Sequence, residues 1–496
     1  MIEELVQRFL PMLSYDSTSP MLFSSGLFLV LFTLFYAIYA PLKGRYSARV
    51  WYVIAFSLYF YYKSSGLYFM LLLTVSVSDF VIGAAIHRSS SRVYKDLLLA
   101  LSLAINLLLL GYFKYTNLLL DSLNSVMGDG TFQMQSIFLP VGISFFLFQS
   151  MSYTIDIYRG ALTPLSRWRD YIFFLSFFPQ LVAGPIVRAR EFLPQIVKPH
   201  PLTREGFSSA MFLILTGLFK KCVISDYISL NFIDRIFDEP LLYTGFESLM
   251  AIYGYALQIY CDFSGYSDMA IGLAMLLGFH FSKNFDAPYK SATITEFWRR
   301  WHISLSSWLR DYLYISLGGS RRGRIRTYIN LLIVMLLGGL WHGAAVRFIL
   351  WGALHGVALA LHKGWMEIFP SSKVLGRDMN PLQRALGVFL TFNLVSLGWL
   401  LFRAESWQSA ELMLHQVFYN FNGEAAWQVI QGYASTSLLM VLGFTLHLLP
   451  SKVDSWAKGL YVKSPVVVQM LVMLFMIWLV AQVATSELQP FIYFQF

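Results

Sequence analysis

Residues 295–326 read TEFWRRWHISLSSWLRDYLYISLGGSRRGRIR, and residues 327–356 continue TYINLLIVMLLGGLWHGAAVRFILWGALHG. The continuation decides the fold. It is apolar over the length a helix needs to cross a bilayer, yet it carries an ionisable side chain. If the helix begins at Tyr328, His342 lies fourteen residues in, about 20 Å along the axis at 1.5 Å per residue. The hydrocarbon core is about 30 Å thick, which puts the imidazole well inside it. The next segment, 348–361, returns toward Lys363 and brings His355 to a comparable depth. Gly338, Gly339, Gly343, Gly352 and Gly356 would let such neighbouring helices approach closely.

Runs of this kind recur along the chain. Of its 496 residues 57% are hydrophobic and 13% charged, against about a quarter charged in a soluble domain. The runs are continuous rather than alternating, so an all-α polytopic membrane protein is expected and a β-barrel is not. Further spans are expected at 21–42, 50–62, 67–86, 97–113, 138–157, 207–218, 248–263, 265–281, 386–401, 437–449 and 466–483. Segment 171–187 contains Pro179, Gly184 and Pro185, and reads either as a broken or re-entrant segment or as a kinked ordinary span. About eleven to thirteen membrane segments result, in one integrated domain with no repeat or long linker. The net charge of +9 sits between apolar runs, as topology determinants do, so nucleic acid is not an expected partner. The basic loops at 43–49 and 87–95 are expected in the cytoplasm, with the N-terminus outside. Glu3 and Glu4 precede any apolar run, so the start does not read as a cleavable signal. Cys222 and Cys261 make neither a disulfide framework nor a metal site.

In the quoted stretch Trp298, Trp301, Leu305, Trp308 and Tyr312 step by three and four. They form one face of an amphipathic helix, with Arg299, Arg300, Arg310 and Asp311 on the other. Such a helix is expected in the interface plane with its tryptophans at headgroup depth. It is either a plain anchor or a rim whose arginines hold phosphates bidentately. Then follow Gly318, Gly319 and Gly323 among Arg321, Arg322, Arg324 and Arg326, a loop open to an anion and also a topology determinant. It matches no nucleotide-binding P-loop. An ionisable residue at the depth of His342 is functional by default, because burying it there is costly. The structural alternative, a neutral imidazole bonded within a bundle, weighs more on His355 and on His302, at the edge of the apolar face. A neutral imidazole suits a general base for a hydroxyl nucleophile. No Cys or Asp set completes a metal site around His342, and no GxSxG elbow is present.

These residues resemble the membrane-bound O-acyltransferase (MBOAT) family, in its alginate O-acetylation (AlgI-type) branch. The likeness runs through VGISFFLFQSMSYTIDIYRG at 141–160, FFPQLVAGPIVRAREFLPQI at 177–196 and YCDFSGYSDMAIGLAMLLGF at 260–279. It continues through NFDAPY at 284–289, FWRRWHISLSSWLRDYLYISLGGSRRG at 297–323, GGLWHG at 338–343 and WGALHG at 351–356. A D-alanyl transferase branch shares RRWH and WHG, whereas the LGGSRRG and GPIVRAREF forms are more like the alginate branch. Residues 1–135 and 365–485 match only in hydropathy. The resemblance implies a helical ring around a central tunnel, with a catalytic core at about 138–366 and the histidine of WHG at the narrow middle. It makes His342 the essential catalytic residue and His302 a further candidate. Trp298, Arg299, Arg300, Arg310, Arg321, Arg322, Trp341, His355 and Arg159 become substrate-contacting candidates, with a structural alternative for Arg159. The tail at 489–496 ends QPFIYFQF, similar to the aromatic ending of this branch, where a C-terminal tyrosine is a proposed acyl carrier. That makes Tyr493 a candidate nucleophile, whose phenol of ordinary pKa near 10 needs a base such as His342. The alternative is an aromatic anchor at the interface.

The expected activity is transfer of acetyl from cytoplasmic acetyl-CoA across a bacterial inner membrane for O-acetylation of an envelope polysaccharide. Acetyl-CoA is a substrate here, no resident cofactor is expected, and an extracytoplasmic SGNH-type partner is implied. Two alternatives stand beside it. One is D-alanyl or longer-chain acyl transfer by the same fold. The other is a transporter with no covalent chemistry, which predicts inverted repeats that the sequence does not show.

Overall fold

The computed structural model describes residues 12–16, 20–128, 130–182, 184–369, 379–483 and 492. It is helical, with no strand among the described residues. Two compact units emerge, one from the residues up to Ala210 with Ala270–Ser282, the other from Met211–Met269 and Lys283–Ile492.

The first unit contains α1 (Gly26–Leu42), α2 (Tyr46–Ser65), α3 (Phe69–Arg88), α4 (Arg92–Leu110), α5 (Ile143–Tyr158) and α6 (Trp168–Ser176). Gly66, at φ +58°, breaks the apolar run between α2 and α3 in a conformation that glycine adopts without cost. Asp79, midway along α3, is fully buried and accepts hydrogen bonds from Ser102 (2.7 Å), Asn106 (2.8 Å) and Ser150 (2.5 Å). A carboxylate in an apolar interior persists only when its lone pairs are filled, and here α4 and α5 fill them. Segment 171–187 is broken. After α6 comes the short turn Phe178–Leu181, and residues 184–188 are not helical. Gly184 allows the turn back, since a Cβ there would lie 2.5 Å from the Pro179 carbonyl oxygen.

Next in order are α7 (Arg204–Leu218) and α8 (Gly245–Leu276). The expected pair of spans at 248–263 and 265–281 is the single 32-residue helix α8. Gly265, at the boundary between the two expected spans, admits a neighbour: its Cβ would meet the Gly217 carbonyl of α7 at 2.7 Å. Then follow α9 (Ile294–Arg300), α10 (Ile303–Trp308), α11 (Arg324–His342), α12 (Val346–Ile368), α13 (Pro381–Arg403), α14 (Ala434–Leu448) and α15 (Val466–Val483). Among the described residues six helical segments are long and apolar enough to cross a membrane, or seven if Ala426–Gly432 and α14, bent by 95°, count as one span. The larger number expected from sequence includes shorter and broken segments. The protein is a multi-pass membrane protein.

Candidate active site

The site is built on the α11–α12 hairpin. Helix α11 starts at Arg324, four residues before the apolar run read from sequence, and ends at His342. At 1.5 Å per residue His342 therefore lies about 27 Å from Arg324, farther along than expected. Glycine sets the hairpin spacing. A Cβ at Gly339 would strike the Phe348 carbonyl and one at Gly352 the Met335 carbonyl, while one at Gly356 would press tightly on Leu332, at 3.0 Å from its Cδ1. The paired numbers run in opposite directions, so the helices are antiparallel and nearly in backbone contact. Gly338 differs, since its Cβ would make ordinary contact with Leu309.

Gly343 ends α11 in an extended conformation, and the Phe348 ring occupies the place its side chain would take. Phe348 packs on Phe402 of α13 (5.0 Å between centroids), and Phe402 stands edge-on to the His342 ring (5.3 Å). Trp341 and Trp351 complete an aromatic surround, each 5.0 Å from His342. The last carbonyls of a helix carry partial negative charge, so His342 occupies an end that stabilises positive charge. Positive charge is what an imidazole acquires on taking a proton from a hydroxyl.

The two tryptophans join His342 to two further histidines. Trp351 lies 4.7 Å from His355, and Trp341 lies 6.3 Å from His302. His302 and His355 have no exposed surface, whereas His342 retains 4%. His355 is enclosed by Phe297, Trp298 and Trp351, and neither ring nitrogen has a hydrogen-bond partner among the described residues. Gly398 of α13 leaves room for it, because a Cβ there would lie 2.9 Å from Nε2.

The expected continuous amphipathic helix is interrupted at His302, which adopts φ +41° between α9 and α10. Asn284 holds the break. Its Oδ1 accepts from the Ser304 amide (3.2 Å) and hydroxyl (2.9 Å) and lies 3.2 Å from His302 Nδ1. A wide turn at Leu309–Tyr314 ends the segment. Two of its tryptophans are covered by protein: Trp301 is buried against Trp399 (4.8 Å) and Phe285 (5.1 Å), and Trp308 is buried as well. The apolar periodicity marks a face that packs, at these two positions, on the protein itself.

Arg300 is committed to Glu296 (2.9 Å) and to the Asp286 backbone carbonyl (3.0 Å). Arg299, Arg321 and Arg322 are exposed, and Arg310 is exposed beside Asp311 (2.7 Å). Trp298 is half-buried against Trp351 (5.7 Å). Arg159 belongs to the first unit, exposed at the end of α5. Tyr493 lies outside the described residues.

Sequence reading missed a buried ionic cluster. The span expected at 207–218 does not stop before Lys220 and Lys221, because the segment continues through the wide helical turn Phe219–Asp226. That geometry brings residues five apart together, and Lys221 Nζ meets Asp226 (2.8 Å) and Asp262 of α8 (2.6 Å). Lys220 pairs with Asp268 (2.7 Å). The available signal was two aspartates inside the apolar run of α8.

Over 405 residues the chain is 41% identical to a Pseudomonas putida protein named probable alginate O-acetylase AlgI, covering 80% of each. The model of MBOAT, the membrane-bound O-acyltransferase family, matches residues 167–397. The chain belongs to this family. A peptidoglycan O-acetyltransferase of Helicobacter pylori is 37% identical over 421 residues, covering 79% of this chain and 78% of that one. A teichoic acid D-alanyltransferase of Streptococcus thermophilus is 28% identical over 290 residues, 54% of this chain and 69% of that one. The acyltransferase's three aromatic-caged histidines and its basic loop all fall within the matched residues, whereas Arg159 and Tyr493 fall outside them.

Proposed function

We propose that this acyltransferase takes an acetyl group from acetyl-CoA at the cytoplasmic face of a bacterial inner membrane and delivers it for O-acetylation of an envelope polysaccharide. His342 is the general base. The observation that carries this reading is the exposure contrast: of three histidines in one aromatic cage, only His342 keeps accessible surface, and it stands at a helix end suited to positive charge.

In the step we propose, an unprotonated ring nitrogen of His342 takes the proton of a hydroxyl as its oxygen attacks the thioester carbonyl. A C–O bond forms, the C–S bond breaks, and the departing thiolate receives the proton from His342 and leaves as free thiol. The first hydroxyl is the Tyr493 phenol, which passes the acetyl group to an extracytoplasmic SGNH-type partner and so to the polysaccharide. Arg299, Arg310, Arg321 and Arg322 draw in the donor's phosphates, Arg300 fixes the loop at Asp286, and Trp341 and Trp351 shape the acyl site with Trp298 behind them. Acetyl is favoured over D-alanyl because relatives named for O-acetylation are 37–41% identical and the D-alanyl relative 28%.

The test uses the full-length protein in liposomes with radiolabelled acetyl-CoA, following free thiol and protein-bound label. Wild type is expected to release thiol and carry label, and Tyr493→Phe to carry none. Label still bound in Tyr493→Phe would move the carrier to another residue, and undiminished thiol release from an unlabelled Tyr493→Phe would leave direct transfer.

A further inference from the structure

The buried Lys221–Asp262 pair holds something besides itself. Asp262 Oδ2 accepts a hydrogen bond from the backbone amide of Ile492, at 3.0 Å, and Ile492 is itself buried. Asp262 and Lys221 are each 2% exposed. Two ions taken out of water need excellent mutual geometry and filled lone pairs. Lys221 supplies the counter-charge, Asp226 binds the same ammonium, and one remaining carboxylate lone pair is filled by an amide 230 residues away.

A separate polar chain on the same helix ends beside the His342 cage. One turn earlier on α8, Gln258 donates to Ser229 (2.7 Å), and Ser229 donates to Asp234 (2.6 Å). Asp234 binds Arg403 (2.8 Å), the residue after the Phe402 that packs on His342. Along the same face of α8, Gln258 Oε1 and Tyr255 Oη are buried and have no hydrogen-bond partner among the described residues. Unfilled buried polar atoms are costly, and they mark a line along which a polar group could be received.

We infer that Asp262 is a positioning residue: it holds the backbone at Ile492 through its amide and thereby fixes the anchor point of Tyr493, which follows directly in the chain. This rests on the carrier role proposed above for Tyr493. Docking through a main-chain N–H tolerates varied side chains at residue 492 but not the loss of that hydrogen, which proline lacks.

Two measurements on the full-length protein in liposomes decide it. The first reads docking alone. With Cys222→Ser and Cys261→Ser as background, Ile492→Cys provides the single thiol, and its reaction with a water-soluble maleimide is timed with and without Asp262→Ala. Asp262→Ala is expected to speed the reaction by about tenfold or more as the segment is released; an unchanged rate overturns the docking. The second reads positioning, and it leaves the ionic cluster intact in case Asp262→Ala fails to fold. Ile492→Pro is expected to lower acetyl label on the protein by about tenfold or more, while Ile492→Val, which keeps the amide, labels as wild type does. Equal labelling of the proline and valine variants overturns the positioning role. If Tyr493→Phe still carries full label, the carrier reading fails, and the maleimide rates still decide whether Asp262 docks the segment.

Discussion

His342 and His355 differ by what surrounds them more than by what they are. Both rings lie within 5.0 Å of Trp351, but His355 has no exposed surface and its nitrogens lack partners among the described residues, whereas His342 keeps 4% of its surface. Replacing an unpaired buried polar group by an apolar one of similar size is nearly neutral. His355→Leu should therefore keep thermal stability within about 1 kcal/mol, and transfer should fall by no more than about tenfold. Differential scanning fluorimetry and an acetyl-transfer assay check this, and a loss as deep as that of His342→Ala would give His355 a direct chemical role. At this scale the sequence was informative where residues could be counted along one helix. It expected His342 on the apolar helix that α11 forms, but the expected start was four residues late because arginines mask a helix beginning. The Trp351 and Phe402 packing was illegible, since no spacing rule links α11 to α13. His302 was ambiguous in the sequence because its contact with Asn284 depends on a left-handed backbone that few histidines adopt.

Between elements, the closest packing is that of α11 against α12, made by Gly339, Gly352 and Gly356. These glycines were legible from sequence because small residues at helical spacing have one common use in membranes. Gly352→Ala would drive its methyl into the Met335 carbonyl, a backbone group that cannot rotate away. It should destabilise the protein by about 1–3 kcal/mol and lower transfer through displacement of Trp351, both readable on purified protein in detergent. Gly338→Ala has room beside Leu309 and should do neither. The merger of two expected spans into α8 was not legible, because Gly265 looks the same whether it divides a helix or admits a neighbour. The basic loop after α10 makes a further prediction. Arg321 and Arg322 are exposed, so Arg321→Gln with Arg322→Gln should raise KM for acetyl-CoA about tenfold, leave kcat nearly constant and flatten the dependence on ionic strength. Steady-state kinetics across a salt series would show it, and an unchanged KM would leave the loop as a topology determinant alone.

For the whole molecule, composition and run length were enough to read a helical membrane protein, because no soluble chain leaves this much apolar surface uncompensated by charge. Orientation follows from charge placement. Single cysteines at Ala48, Ser90 and Ser320, all exposed, should react with a membrane-impermeant maleimide only from the cytoplasmic side. Labelling of Ser320→Cys from outside would separate the basic loop from a cytoplasmic donor. The central claim, that His342 performs the proton transfer, is tested most directly by thiol release from acetyl-CoA in liposomes, comparing wild type with His342→Ala at equal folded protein. A fall of about a hundredfold to ten-thousandfold is expected for loss of a general base, with acetyl-CoA binding retained. Thiol release within a few-fold of wild type would contradict the account and place the base elsewhere.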